Sequence, residues 1–154
     1  MQVNIYTDGS SRGNPGPGGY GVVMASTNHH KELSAGFRKT TNNRMELLAV
    51  IVALESLKLT GLYVTIFTDS KYVCDAVEKK WVFGWEKKNF AGKKNADLWK
   101  RFLILYPKNH INFKWIKGHA GHKENERCDE LATMAADDSK NLLIDEGFEC
   151  GLYN

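Results

Sequence analysis

Val3-Asn4-Ile5-Tyr6-Thr7-Asp8-Gly9-Ser10 is a short run of β-branched and aromatic residues that ends by presenting one carboxylate and then turns at a glycine. The composition of the run predicts a β-strand, and Asp8-Gly9 taken alone predicts only the turn that closes it. An echo lies further on. Leu62 to Phe67 is a second apolar run of strand composition, and it ends in Thr68-Asp69-Ser70. Between the two, Arg44 to Leu59 has helical length and is apolar nearly all round, which predicts a helix buried in the interior and stopped by Gly61. Strand, helix and parallel strand make a right-handed crossover that returns the chain beside its start. Asp8 and Asp69 then stand together at the carboxyl ends of neighbouring strands, where open sheets hold their ligands.

Outward from this unit the pattern continues as a mixed sheet with helices packed on its faces. Ser11 to Gly19 holds six glycines and prolines, Gly13, Pro15, Gly16, Pro17, Gly18 and Gly19, and predicts an ordered loop. Tyr20 to Ala25 and Glu32 to Phe37 read as a hairpin, with Leu33, Ala35 and Phe37 alternating and a polar turn from Ser26 to Lys31. Tyr72, Val73, Ala76 and Val77 recur at helical spacing, and Asn95 to Tyr106 reads as an amphipathic helix closed by Pro107. Ile111 to Trp115 alternates as a strand, Gly118 to His122 is a loop, and Glu124 to Ala136 is a last helix. The segment 137–154 carries no motif, so its order stays open.

The chain of 154 residues fits one domain and is long enough to bury about two-thirds of its unfolded surface. Its cysteines, Cys74, Cys128 and Cys150, have no zinc-ligand spacing and predict reduced thiols in a cytoplasmic protein. No basic-then-apolar leader and no bilayer-length apolar run is present. The net charge of +3 is unevenly placed. Lys79 to Arg101 holds eight basic residues against Glu86 and Asp97, whereas Asp137 to Glu149 holds five acids against Lys140. Lysines interleaved with Trp81, Phe83, Trp85 and Phe90 have the composition of a nucleic-acid handle, although Trp81 and Trp85, at i and i+4, also suit a core.

Each further polar candidate has an ordinary reading beside a chemical one. Asp69 suits the N-cap of the next helix, a role Ser70 also fits. Glu46 suits a capping box over Asn43-Arg44-Met45-Glu46. Asp129 and Glu126 share a helix face and suit solvated charges, and His119 suits an exposed histidine. If the carboxylates converge instead, each pair at about 4 Å repels by roughly 4 kcal/mol at an effective dielectric of 20, and a hard dication is the usual remedy. Oxygen-only ligands favour Mg²⁺ or Mn²⁺, and two such ions suit an in-line phosphoryl displacement. His119, on a glycine-flanked loop, then becomes a proton carrier.

Taken together, the motifs resemble bacterial ribonuclease HI (type 1 ribonuclease H): Thr7-Asp8-Gly9-Ser10, the segment 13–21, Thr40-Thr41-Asn42-Asn43-Arg44-Met45-Glu46-Leu47, Thr68-Asp69-Ser70, the segment 115–122, and the segment 125–132. The resemblance runs in order from residue 3 to about residue 136. It implies an α/β, ribonuclease H-like fold with a five-stranded mixed sheet and helices on both faces. It also implies hydrolysis of the RNA strand of RNA/DNA hybrids to 5′-phosphate and 3′-hydroxyl ends, with two Mg²⁺ ions in catalysis and Mn²⁺ as a substitute. By position, Asp8, Glu46, Asp69 and Asp129 would hold metal, His119 would assist water activation or product release, and Glu126 would stand behind them. Gly9, Ser10, Ser11 and Asn14 would meet the RNA strand, whose 2′-hydroxyls distinguish it from DNA. Asn42 and Asn43 would enter the minor groove, and Thr41 and Asn95 would hold a DNA phosphate. Trp81, Trp85, Lys87 and Lys88 would form a basic protrusion on the DNA strand. Lys71 departs from the glutamine of the best-known members and would reach the RNA by charge. The protrusion between Trp85 and Asn95 is shorter than in the enterobacterial pattern, and no preceding hybrid-binding domain is expected. The implied protein is a cytoplasmic monomer with no membrane and no obligate protein partner. Two other readings remain: an integrase or junction resolvase of the same fold, and a hybrid-binding module without catalysis. The Asn42-Asn43 and His119 signatures speak against the first, and the full carboxylate set against the second.

Overall fold

The computed structural model describes residues 1–118 and 121–154. Strand β1 (Gln2–Ser11) runs up the centre, β2 (Gly16–Ser26) and β3 (His29–Thr40) fold back beside it, and α1 (Asn42–Glu55) crosses to β4 (Tyr63–Thr68). Helices α2 (Lys71–Glu78), α3 (Trp81–Lys87) and α4 (Ala96–Leu105) follow, then a single 3₁₀ turn at Tyr106–Lys108, β5 (His110–Trp115), α5 (Lys123–Asp137) and the short α6 (Glu146–Glu149). The five strands lie in the order β3-β2-β1-β4-β5. β1, β2 and β3 pair antiparallel, and β1, β4 and β5 pair parallel. This is the mixed α/β sheet expected from the sequence.

The parallel register sets Gln2 beside Tyr63 and Tyr6 beside Phe67. Carried two residues further, it sets Asp8 level with Asp69. The crossover helix α1 is buried through Met45, Leu47, Ala49, Val50, Ile51 and Ala53, all without solvent exposure, because it is covered by β1 and β2 on one side and by α4 on another. An amphipathic stripe would leave one side bare, so the sequence is apolar all round.

The expected loop from Ser11 to Gly19 is a correction. β1 extends to Ser11 and β2 begins at Gly16, so the connection shortens to residues 12–15, with Ser10 paired to Gly19 and Ser11 to Gly18. The β2–β3 register slips between Gly16 and Gly18, at Pro17, which has no backbone N–H to give the ladder. The glycines answer to packing on the two faces of the sheet rather than to a turn. A Cβ on Gly18 would meet Met45 of α1 at 3.3 Å, whereas one on Gly19 would lie 2.5 Å from the Ala132 carbonyl oxygen of α5. Neighbouring strand residues point to opposite faces, so α1 and α5 cover opposite faces of the sheet. Gly21 and Gly36 complete the seat of α5, where an added Cβ would lie 2.2 Å from the Cys128 carbonyl oxygen and 2.1 Å from that of Ala135.

The segment after α5 is packed against the body. Leu143 donates its N–H to the Gly36 carbonyl at 2.8 Å and accepts from the Arg38 N–H at 2.9 Å, extending the sheet edge by one bridge. Cys74 and Cys128 are buried and Cys150 exposed, all three as free thiols. Among the described residues no helix is long and apolar enough to cross a membrane.

Gly21→Ala places a methyl group against backbone that has nowhere to give. We expect the variant to lose roughly 1–3 kcal/mol in a urea melt with its far-UV circular dichroism unchanged. An unshifted midpoint would mean that α5 does not rest on the glycines.

Candidate active site

Near the carboxyl end of β1 one backbone N–H is shared by two acids. Gly9 N–H donates to Asp8 Oδ1 at 2.9 Å and to Glu46 Oε1 at 3.2 Å. The sharing requires a glycine, since a Cβ here would lie 2.4 Å from the Glu46 backbone nitrogen. The capping-box reading of Glu46 does not hold: Thr41 caps α1, its Oγ1 accepting from the Arg44 N–H at 3.3 Å, and Glu46 turns to β1 instead. Ser70 likewise caps α2 by accepting from the Val73 N–H. Asp69 is thereby left outside the cap. Its carbonyl accepts from Trp115 Nε1 at 3.0 Å, and the Gly118 backbone packs so closely on its carboxylate that an added Cβ would lie 2.6 Å from Oδ2.

Asp8, Glu46 and Asp69 each offer a carboxylate oxygen within 4.8 Å of the other two. Asp8 and Glu46 are buried, at 7% and 8% exposure, and Asp69 is half-buried. Burial pushes the Asp8 carboxyl up to about 7; the Glu46 hydrogen bond opposes the rise, and the charges of Asp69 and Asp129 add to it. Burial raises Glu46 as well, reinforced by Asp8 and Asp69. Both carboxyls are thus biased toward the protonated form. Glu46 Oε2 is buried without a hydrogen-bond partner. An all-oxygen donor set, mutually repelling and with one orphaned buried oxygen, fits a hard divalent cation. Asp129, half-buried on α5, lies outside the compact trio but close enough for its charge to act on Asp8.

The family model described as RNase H matches residues 1–137. The chain belongs to the ribonuclease H family. It is 54% identical to the ribonuclease H of Desulforamulus reducens over 149 residues, covering 94% of this chain and 92% of that one. Among solved structures it is similar to LC9-RNase H1, a type 1 RNase H with the type 2 active-site motif, at 31% identity and a TM-score of 0.79, covering 98% of this chain and 81% of that one. It is also similar to LC11-RNase H1, solved in complex with an RNA/DNA hybrid, at 29% identity and a TM-score of 0.67, covering 90% and 99% of the respective chains. Ribonuclease H is accordingly the enzyme class in which the chain stands.

In this ribonuclease H the other expected site residues divide into groups. Asn14, Ser11 and Asn42 are tied together: the Ser11 N–H donates to Asn42 Oδ1 at 2.8 Å, and the Asn42 N–H to Asn14 Oδ1 at 3.1 Å. Asn14, Thr41, Asn43 and Asn95 line one pocket with Lys94. Ser10 is half-buried beside them in sequence, its Oγ unpartnered. Lys71 holds its ammonium 4.8 Å from the centre of the Trp115 ring. Trp81 is 48% exposed with Lys79 over its ring, whereas Trp85 packs edge-on against buried Trp99 at 5.9 Å. Lys87, Lys88 and Glu126 are exposed. His119 lies outside the described residues. The sequence reading did not single out Trp115, Tyr72 or Asp145; Trp115 carried a signal, a tryptophan at the end of a strand that runs beside the Asp69 strand.

Because the folded-state pKa of Asp8 is raised, the proton it binds favours the folded state at low pH, and that contribution is lost as pH rises from about 4 through about 7. In chelator, the stability of Asp8→Asn relative to the parent should therefore grow over this range, by on the order of 2–4 kcal/mol. Parallel stability–pH curves for the two proteins would refute the raised Asp8 pKa.

Proposed function

We propose that the protein is an endonuclease that hydrolyses the RNA strand of RNA/DNA hybrids with Mg²⁺, Mn²⁺ being a substitute, at the site of Asp8, Glu46, Asp69 and Asp129. The observation that carries this reading is the buried trio of carboxylates with an orphaned oxygen on a chain of the ribonuclease H family. Two divalent ions, when bound, supply charge neutralisation for the four carboxylates and polarise the scissile phosphate for in-line displacement.

The protein's own residues do the rest. Asp8, central in the sheet and hydrogen-bonded to the Gly9 N–H, is the carboxylate from which the others are spaced. Water attacks phosphorus and the bond to the 3′-oxygen breaks, giving a 3′-hydroxyl and a 5′-phosphate, with His119 taking up or delivering the proton and Glu126 behind it. The Gly9 to Ser11 backbone and Asn14 meet the RNA strand, where the 2′-hydroxyl is the group that selects RNA. Asn42 and Asn43 lie toward the minor groove, Lys71 toward the RNA, and Thr41 and Asn95 toward a DNA phosphate. Trp81, Trp85, Lys87 and Lys88 grip the DNA strand, largely by charge. The protein acts as a single-domain cytoplasmic monomer.

On a hybrid with either strand end-labelled, only the RNA should be cut, and chelator should abolish cleavage. Asp8→Asn should lose about 1,000-fold or more in kcat, several kcal/mol of transition-state stabilisation, while still binding hybrid. Cleavage of the DNA strand, or an Asp8→Asn variant as fast as the parent, would overturn the assignment. Mg²⁺ should also raise the melting temperature of the parent and leave that of Asp8→Asn nearly unchanged, since a ligand stabilises only the fold that binds it.

A further inference from the structure

The family match ends at residue 137, yet the segment beyond it reaches back to the pocket of Thr41, Asn43, Lys94 and Asn95 and completes it with Phe148 and Asn154. Asn95 is the hub of that pocket. It is buried and takes a left-handed backbone, φ 65°, at the start of α4. A non-glycine residue keeps such a conformation only where its surroundings fix it. Three bonds do so here. The Asn95 N–H donates to the Tyr153 carbonyl at 2.8 Å, its Nδ2 donates to Tyr72 Oη at 3.0 Å, and its Oδ1 accepts from Arg44 Nη1 at 3.3 Å.

The second of the segment's holds runs through Arg44. Its guanidinium, 1% exposed, is gripped from the body by Asp97 at 2.7 and 2.9 Å and from the segment by Asp145 at 2.8 and 2.9 Å. Asp145 also accepts from Thr40 Oγ1 at 2.7 Å, next to the Thr41 that caps α1 and lines the pocket. Gly147 lets the segment close on this ion group, since a Cβ there would lie 1.9 Å from Asp97 Oδ2. Thus residues 138–154 hold Asn95 directly, through the Tyr153 carbonyl, and reach Thr41 through its neighbour Thr40 and through Arg44.

We infer that residues 138–154 are a positioning strap that fixes Asn95 and Thr41 to receive one backbone phosphate of the hybrid's DNA strand. The inference rests on the phosphate reading of the pocket, which its lysine and amide lining suits. The strap touches no reacting atom. It lowers the KM for hybrid and leaves kcat alone.

Two variants separate the strap from general stability: the chain ended after Gly151, which removes the Tyr153 acceptor together with Leu152 and the pocket-lining Asn154, and full-length Asp145→Asn, which leaves the pocket lining intact. Both are first melted to set an assay temperature at which they are folded, and if one does not fold, the other carries the test. Substrates are an unmodified hybrid and a series with single methylphosphonates along the DNA strand. In the parent, one methylphosphonate position should raise KM about tenfold. In the variants, KM on the unmodified hybrid should already be raised about fivefold with kcat within about twofold, and that same position should cost less than about twofold more. An equal further loss in parent and variant would overturn the strap while leaving the phosphate pocket standing. A parent indifferent to every methylphosphonate would overturn the pocket and the strap with it.

Discussion

Three carboxylates whose oxygens lie within 4.8 Å of one another have to be held against their own repulsion, and much of the architecture is explained by that requirement. Fully ionised, each pair would cost about 3–4 kcal/mol at an effective dielectric of 20, so the trio would cost on the order of 10 kcal/mol, comparable with the net stability of a domain. A rigid frame is needed, and it comes from three elements meeting at one end of the sheet. β1 and β4 are locked in parallel register, which sets Asp8 level with Asp69, and α1 is pressed so closely on Gly9 that a single N–H serves both Asp8 and Glu46. The Asp8 carboxyl is raised first by burial, and the charges of Asp69 and Asp129 add the same repulsion to it.

Near its start α1 carries two buried ionisable groups of opposite type, Arg44 and Glu46, only two residues apart. Residues at that spacing point about 200° apart around a helix, so Arg44 and Glu46 face away from one another. Arg44 has every reason to stay charged, with two carboxylates at 2.7–2.9 Å. Burial alone would raise Asp145, but Arg44 and Thr40 hold it below the usual carboxylate range. Glu46 has the reverse environment and is raised. One helical turn thus joins a satisfied ion group to an unsatisfied one. The satisfied side is the rigid support on which the unsatisfied side is held.

The sequence showed those parts of the fold whose cause is local or topological. The composition of residues 3–10 and 62–67, with a helix-length apolar run between, was enough for the crossover and for the Asp8–Asp69 pair. It misread residues 16–19 because Gly18 and Gly19 serve close contacts with Met45 of α1 and Ala132 of α5, far along the chain, while looking like turn glycines in their own neighbourhood. Glu46 looked like a capping residue for a similar reason, since the competing acceptor for the Gly9 N–H comes from a different element. The close packing of 138–154 was illegible because its holds, Asp145 on Arg44, Glu149 on Arg38 and the Leu143 and Tyr153 backbone on β3 and Asn95, all join it to residues more than forty positions away, and nothing in the local pattern names those partners. Trp81 and Trp85 share spacing and flanks yet differ in exposure, because only Trp85 meets Trp99.

Charge placement follows the same division between what is paired and what is left. Three of the five acids from Asp137 to Glu149 are paired within the molecule: Asp137 with Arg12, Asp145 with Arg44 and Glu149 with Arg38. The basic segment is less paired. Among the described residues Lys80, Lys87, Lys88, Lys93, Lys94 and Lys100 form no ion pair, whereas Lys79 and Arg101 meet Asp75 and Glu55. Several of these lysines instead lie over aromatic faces, Lys80 on Phe83, Lys93 on Trp85 and Lys100 on Phe90. Such contacts keep the ammonium charged and oriented without cancelling its field. A modest net charge therefore conceals an electropositive surface spanning α3 and the start of α4. Opposed to it is the carboxylate cluster at the sheet end, whose field repels a polyanion until cations occupy it. Under the proposed function, a nucleic-acid strand would be drawn first to the lysines, and cations would decide whether it also settles over Asp8.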